Sequence, residues 1–400
     1  MKILHTADWH LGHRLHEQSQ IEEQKLFLNW IENYITTQKI DVLLISGDVF
    51  DTGSPSNQSK KMYFDFLVKI NQSHCSHIII TGGNHDSPEM LNAPKELLNA
   101  LSIKVVGKAP ENVADEVFEL SVNNEKTIIG AVPYLRDQDI RRAVAGENFD
   151  ELVNRYKTAL INHYNLVAEY CKSINKDNVP VIAMGHLFAT GGKVSESEQN
   201  IYVGNLGHIK ADEFPIVFDY IALGHLHRPQ IVGDNPKIRY SGSPHILSFS
   251  ELNYDKKIIV IDTNHQKVLS IDEVKIPRFR EVYQLNGTIN ECINQFENVI
   301  SNTYQLTPWV EIVLDENVSV NTDELKQQAY LYQFEILKIT LKNTREIKGI
   351  EELLESTKSI KELKPEEVFK LKCKEEQIDL KEQSEIWDAF NEILQQVKEQ

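Results

Sequence analysis

The chain has 400 residues, 41% hydrophobic and 25% charged, with 18 Gly and 13 Pro; this suits two or three globular domains and excludes a collagen, a fibrous coiled coil or a disordered chain. Lys and Arg number 42 against 59 Asp and Glu, a formal charge of −17, and the basic stripe with which a protein usually grips duplex DNA unaided is absent. If the chain acts on nucleic acid, metal ions or a partner must supply much of the positive charge.

The first third alternates short β-branched runs with helical stretches. Lys2–His5 reads as a strand, Gln20–Gln38 as a helix with apolar positions at Ile21, Phe27, Leu28, Ile31 and Ile35, and Asp41–Ser46 as a second strand. A helix over Lys60–Asn71 and a strand over His77–Thr81 follow, a strand–helix alternation that predicts α/β layers. Further strands are expected at Lys126–Val132, Pro180–Met184, Tyr220–Leu223, Arg239–Ser241 and Lys257–Asp262, with a long helix near Asp150–Ser173. Past Pro277 no histidine remains and only Gly287 and Gly349 persist, which marks a boundary. Residues 278–345 then read as a small α/β module: helix Ile289–Ser301, strand Trp309–Leu314, helix Thr322–Tyr332 and strand Glu335–Leu341. Residues 346–400 carry 15 acidic and 9 basic side chains in Leu/Ile-spaced helical sequence. Pro365 suits a helix first turn there, and an apolar stripe runs along Ser384–Val397. No apolar run reaches the ~18 residues that cross a bilayer, and no apolar leader follows Met1. Cys75, Cys171, Cys292 and Cys373 form no C-x-x-C pair and read as buried thiols. These features lead to the expectation of a soluble cytoplasmic protein with no membrane attachment.

Five short motifs each follow an apolar strand: Asp8-Trp9-His10, Gly47-Asp48-Val49-Phe50-Asp51, Gly83-Asn84-His85-Asp86, Gly185-His186 and Gly224-His225-Leu226-His227. Residues at strand C-terminal ends converge on one sheet edge, where α/β folds place their sites. Carboxylates and imidazoles with one amide oxygen suit ions such as manganese or iron and not a thiolate zinc site. A pair of ions needs a shared ligand, and both then polarise a phosphoryl oxygen and activate water. Asp48 can bridge. Asp8, His10 and one His of the last pair complete one shell, with Asn84, His186 and the other His completing the second. If these segments are extended, residues two apart point the same way, so Asp8/His10 and His225/His227 can each deliver two ligands to one place. Taken singly, each of these residues is an ordinary turn, cap or core residue; their joint placement after strands carries the metal reading.

In this order, the motifs resemble the calcineurin-type metallophosphoesterase superfamily, and within it the bacterial SbcD nucleases. The resemblance extends through Ile3–Gly12, Gly47–Ser54, Pro133-Tyr134-Leu135-Arg136, Tyr220–Arg228 and Tyr240–Pro244, and more loosely through Leu363–Phe369. It implies a two-sheet α/β sandwich flanked by helices over residues 1–277, a capping domain over 278–345 and a helical partner-binding tail over 346–400. It implies that Asp8, His10, Asp48 and His227 bind one ion and Asp48, Asn84, His186 and His225 the other, with two manganese ions as cofactor. His85 resembles the family histidine that assists phosphodiester cleavage, and Asp86 is expected to orient it or a metal-bound group. Archaeal and eukaryotic relatives carry a His where this chain has Asp51, so that histidine's role does not transfer and Asp51 stays unassigned. The implied activity is a DNA nuclease, 3′→5′ exonuclease and single-strand or hairpin endonuclease, serving DNA repair, recombination and replication. Its partners are implied to be DNA and an SbcC-type ABC ATPase docked on the C-terminal helices, with a homodimer inside a heterotetramer.

The same metal site would also serve a phosphomonoesterase, or a scaffold with a vestigial site. The module and tail after the catalytic region count against the first, the complete ligand set and His85 against the second. The remaining histidines are read as structural, His5 as packed in the first strand. Arg136, Arg141 and Arg142 are read as a solvated helix face, with phosphate contact as the alternative. Lys193 is a weaker candidate for facing substrate, and Ser241–Pro244 a structural turn beside the metal edge.

Overall fold

A computed structural model describes residues 1–136, 149–189, 209–299, 306–315 and 322–341. Two six-stranded sheets dominate it. The first runs β14 (Val268–Lys275), β13 (Lys257–Thr263), β1 (Lys2–Thr6), β4 (Val42–Ser46), β5 (His77–Thr81) and β6 (Ile103–Val106). The second runs β11 (Gln230–Val232), β12 (Asn235–Tyr240), β10 (Tyr220–Gly224), β9 (Val181–His186), β8 (Glu125–Ala131) and β7 (Val117–Val122). β1, β4, β5 and β6 pair in parallel in the first sheet, as do β8, β9, β10 and β12 in the second.

The layering follows from strand periodicity, since successive side chains leave a strand on opposite faces. In β4, Val42 and Leu44 face the second sheet in a core that also holds Ile3, Ile79, Ile129, Ile182, Met184 and Ala222. Leu43 and Ile45 face outward into a core shared with Phe27, Ile31 and Ile35 of helix α1 (Ile21–Gln38) and Phe66 and Ile70 of helix α2 (Asn57–Asn71). The outer face of the second sheet packs on Tyr164, Val167 and Cys171 of a helix spanning Phe149–Ile174. Strands covered on both sides read as unbroken apolar runs, which is why β1, β4, β5, β9 and β10 were visible in the sequence. The two-sheet sandwich flanked by helices is the expected fold.

Several edge elements were not visible. β7 mixes buried positions with exposed ones, as a strand with a wet face does, and β14 carries charges and has no fully buried residue. Asn123 and Asn124, both at positive φ, turn β7 into β8 as a two-residue hairpin loop requires. The expected helix over Ile289–Ser301 is shorter. It starts on a Thr288/Glu291 capping box, ends at Asn294, and continues as a single 3-10 turn, Phe296–Asn298, where Phe296 packs edge-on against Tyr332 and Phe334. The smaller sheet orders β15 (Val282–Gly287), β16 (Trp309–Leu314) and β17 (Glu335–Leu341). Arg280, whose guanidinium lies 3.9 Å from the Trp309 ring centre, pairs with Glu23 of α1.

Backbone contacts divide the chain into one unit of Met1–Ile312 with Ser319–Ile339 and another of Val313–Val318 with Thr340–Gln400. The helical tail expected over 346–400, with its stripe and Cys373, lies outside the described residues, as do Arg141, Arg142 and Lys193. Cys75, Cys171 and Cys292 are buried free thiols. Among the described residues no helix is long and apolar enough to cross a membrane.

Candidate metal centre

The C-terminal ends of β1, β4 and β5 in one sheet and of β9 and β10 in the other open on a common edge. His186 Nδ1 donates to the Ser46 carbonyl at 2.9 Å, and His225 N–H donates to Asp8 Oδ1 at 2.8 Å. Ser46 Oγ donates to the Ala222 carbonyl at 3.0 Å. Two glycines allow this approach. A Cβ at Gly224 would stand 1.9 Å from the Ser46 carbonyl oxygen, and one at Gly83 2.1 Å from Asp48 Oδ1.

The loops after β1 and β4 are laced together by their backbones. Asp8 N–H donates to Gly47 O at 3.1 Å, His10 N–H to Asp48 O at 3.0 Å, and Leu11 N–H to Val49 O at 2.9 Å. Trp9 points the opposite way, buried between Phe27 and Phe66 with its indole N–H on Thr6 Oγ1 at 3.0 Å. The pairs Asp8/His10 and His225/His227 do not lie in extended chain as the sequence reading supposed. Asp8 (φ 53°), His10 (φ 44°), Asp48 (φ 48°) and His225 (φ 107°) all sit at positive φ, costly for side chains with a Cβ and typical of functional sites.

All seven expected ligands are present at this edge, and all but Asn84 are buried. Asp48 is central: its Oδ2 lies 3.2 Å from His186 Nε2 and 3.6 Å from His10 Nε2. Asn84 Oδ1 lies 2.9 Å from His186 Nε2 and 3.0 Å from His225 Nδ1. The His227 and His10 ring centres are 5.0 Å apart. Ligand atoms of Asp8, Asp48 and His186 lie within 4.8 Å of one another, and so do those of His10, Asp48 and His85. Asp48 thus belongs to both groups. Asp8 stands near His186 as well as beside its expected neighbours, and the expected catalytic His85 shares a group with two expected ligands.

Burial pushes the Asp8 carboxyl up to about 7, partly offset by His186 and His227. It pushes His10 down to about 4 and His225 down to about 3, leaving neutral imidazoles with lone pairs to offer. Burial works against the charge of Asp48 and His186 too, but their mutual attraction outweighs it. Asp48 is held well below the usual carboxylate range and His186 is raised to about 9. Asp8 Oδ2 and His10 Nε2 are buried with no hydrogen-bond partner. Buried polar atoms are rarely left so, and a divalent cation satisfies an orphan carboxylate oxygen and an orphan imidazole nitrogen together. The residues fit a metal pair on this ground and on their donor chemistry.

The residues behind the ligands were largely missed. Asp51 Oδ1 accepts from His10 Nδ1 at 3.2 Å and from His13 Nδ1 at 2.8 Å, while its backbone carbonyl accepts from His85 Nδ1 at 2.9 Å. The spacing Asp48-x-x-Asp51 was visible, but its task was not. His13 Nε2 reaches the Leu247 carbonyl at 3.1 Å. Glu251, opposite His227 Nδ1 at 3.2 Å, carried no local sequence signal. Asp86 orients neither His85 nor a ligand as expected. It accepts from the backbone N–H groups of Val49, Phe50 and Gly83 at 3.1, 2.9 and 2.9 Å, because three donors from two loops converge on it. Arg136 is not on a solvated helix face; it is half-buried and donates to the Asp86 carbonyl at 2.9 Å. Gly242 (φ 75°) turns the Ser241–Pro244 segment, and Ser243 N–H donates to the His227 carbonyl at 3.1 Å, as a structural turn there requires. His5 is buried with Nδ1 2.9 Å from the Tyr220 hydroxyl.

Comparison with known proteins adds an independent finding. A family profile described as calcineurin-like phosphoesterase matches residues 1–229, and one described as type 5 capsule protein repressor C-terminal domain matches residues 278–377. The chain is 30% identical over 395 residues to the SbcD subunit of the nuclease SbcCD from Escherichia coli K12, covering 98% of each chain. The corresponding SbcCD subunits of Bacillus subtilis (31% over 279 residues, 68% of this chain and 69% of that one) and Rhodobacter capsulatus (33% over 273 residues, 66% of each) are also similar.

Proposed function

Because this chain belongs to the calcineurin-like phosphoesterases, and within them to the SbcD nuclease subunits, we propose that it hydrolyses DNA phosphodiesters at the edge where Asp48 meets both His10 and His186. The observation that carries this reading is the central Asp48, flanked by the orphaned Asp8 Oδ2 and His10 Nε2. Asp8, His10, Asp48 and His227 would hold one divalent ion, and Asp48, Asn84, His186 and His225 the other, manganese being the ion of choice. The ions, when bound, supply positive charge to the phosphoryl oxygens and lower the pKa of water.

The chain's own residues do the rest. His85 Nδ1 donates to the Asp51 carbonyl, so Nε2 is the nitrogen left for substrate. From Nε2, His85 donates a proton to the departing sugar oxygen. Asp51 holds His10 in the tautomer protonated on Nδ1, which leaves the Nε2 lone pair directed at the Asp48 side. The ions also answer the charge problem, since a chain at −17 has little of its own with which to hold a polyanion.

The chain acts as a subunit of an SbcC–SbcD-type complex. Residues 278–345 form its capping module, and residues 346–400 dock an SbcC-type ABC ATPase, whose surface extends the DNA path. Two copies pair within a cytoplasmic heterotetramer that serves repair, recombination and replication. Its cuts run 3′→5′ from ends and open single strands and hairpins. Purified full-length chain with Mn²⁺ should cut single-stranded DNA, stop on chelation and turn over a phosphomonoester poorly. A chain that binds Mn²⁺ but prefers the phosphomonoester overturns the nuclease reading. Removal of residues 346–400 should abolish ATPase capture and spare single-strand cleavage.

A further inference from the structure

Glu251 belongs to none of the five motifs, yet it is fully buried. It ends a single 3-10 turn, Phe249–Glu251, capped by Ser248. Its two carboxylate oxygens are divided between tasks. Oε1 lies 3.2 Å from His227 Nδ1, and Oε2 accepts from Lys256 Nζ at 2.6 Å and from Leu247 N–H at 3.0 Å. Lys256 is itself buried, lies 4.9 Å from the Tyr254 ring centre, and donates to the His227 carbonyl at 3.4 Å. One carboxylate and one ammonium therefore grip His227 at both its ring and its backbone.

A buried ion pair is poor evidence of stability by itself, since desolvation offsets much of its attraction. Its direction here is informative. An ionised carboxylate can only accept, so the imidazole facing it carries its proton on Nδ1 and presents the Nε2 lone pair on the opposite side. The His10 ring stands there, 5.0 Å from His227 between centres. We propose that Glu251 is a positioning residue for His227, fixing its tautomer and aiming Nε2 at the metal edge, and that the Lys256 ammonium, 2.6 Å from Glu251 Oε2, holds that carboxylate in place. The inference rests on the metal reading of His227, and carboxylate partners of this kind change metal affinity by about 10–100-fold.

The test uses full-length chain, Mn²⁺ alone as probe, and calorimetric titration, with imidazole ¹⁵N spectra of the metal-free protein as a second readout. Glu251→Gln should weaken one Mn²⁺ site by about 10–100-fold, leave the other unchanged, and convert His227 from the Nδ1–H tautomer to a mixture. Lys256→Met should weaken the same site by a smaller factor and shift the His227 tautomer in the same direction, because the Glu251 carboxylate then loses the ammonium that holds it. If Glu251→Gln does not fold, Lys256→Met decides the matter by the same two measurements. Wild-type isotherms and an unchanged His227 tautomer in whichever variant folds overturn the proposal. Wild-type chain that binds no Mn²⁺ would sink the metal reading, while the spectra would still judge the Glu251–His227 link. Because DNA cleavage is not among the readouts, failure of the nuclease reading leaves this test intact.

Discussion

The loops after β1, β4 and β5 and those after β9 and β10 all carry side chains proposed as metal ligands, yet they are held by different means. The first two share backbone hydrogen bonds between Asp8 and Gly47, His10 and Asp48, and Leu11 and Val49, and the Asp86 carboxylate of the third ties Val49, Phe50 and Gly83 together. The second sheet's loops join them through scattered links: Ser46 to His186 and Ala222, and Asp8 to His225. His227 depends on Glu251 and Lys256 from farther along the chain. The first wall is set by main chain with the Asp86 carboxylate as its strut, and the second is joined to it by links that each run through a single side chain.

Asp48, which faces both walls, sets the upper bound on what one substitution can do. Asp48→Ala should abolish Mn²⁺ uptake at both positions and slow single-strand cleavage by about 10³-fold, the equivalent of the several kcal/mol that metal charge supplies. If only one Mn²⁺ is lost, Asp48 does not join the walls. His85→Ala should spare the Mn²⁺ isotherm and lose cleavage by about 10²–10⁴-fold; cleavage at the wild-type rate would remove His85 from the chemistry. Asp86→Ala strips the acceptor from three buried N–H groups and should cost about 3 kcal/mol in a denaturant melt. Ser46→Ala, which removes one link across the walls and leaves its carbonyl in place, should cost about 1 kcal/mol. If these two costs are equal, the contrast between the walls fails.

Protons give the mildest probe. His186 is raised to about 9 because Asp48 and Asp8 favour its charged form over the penalty of burial, and burial raises Asp8 to about 7. A metal must displace both protons, so Mn²⁺ affinity should climb as pH rises from about 6 and level off above about 9. The same titration in buffers of different ionisation enthalpy should count protons released near neutral pH. Uptake without release would mean that His186 Nε2 is not a ligand.

The two walls also differ in how much of each could be read from residues alone. Asp8, His10, Asp48 and Asn84 follow strands buried on both faces, and the unbroken runs of β1, β4 and β5 made those strand ends plain. His186, His225 and His227 were legible for the same reason. What stood behind them was not. Asp86 looked like a partner for its neighbour His85 and instead serves the backbone of two loops. Arg136 looked like part of a solvated face and instead caps the Asp86 carbonyl.

By itself the sequence determined the α/β layering, the order of the strands that carry ligands, and the donor chemistry gathered at their ends. These follow from side-chain alternation and from the residue types placed after each apolar run, both local properties of the chain. Only the tertiary structure decided which nitrogen of His10, His85 and His227 faces a protein acceptor, which carboxylates face these imidazoles and which serve main chain, and that Glu251 stands behind His227. Those outcomes depend on hydrogen-bond partners that lie tens of residues away in the chain, 24 in the case of Glu251 and His227. Packing alone selects such partners, by burying a polar group where one acceptor is within reach.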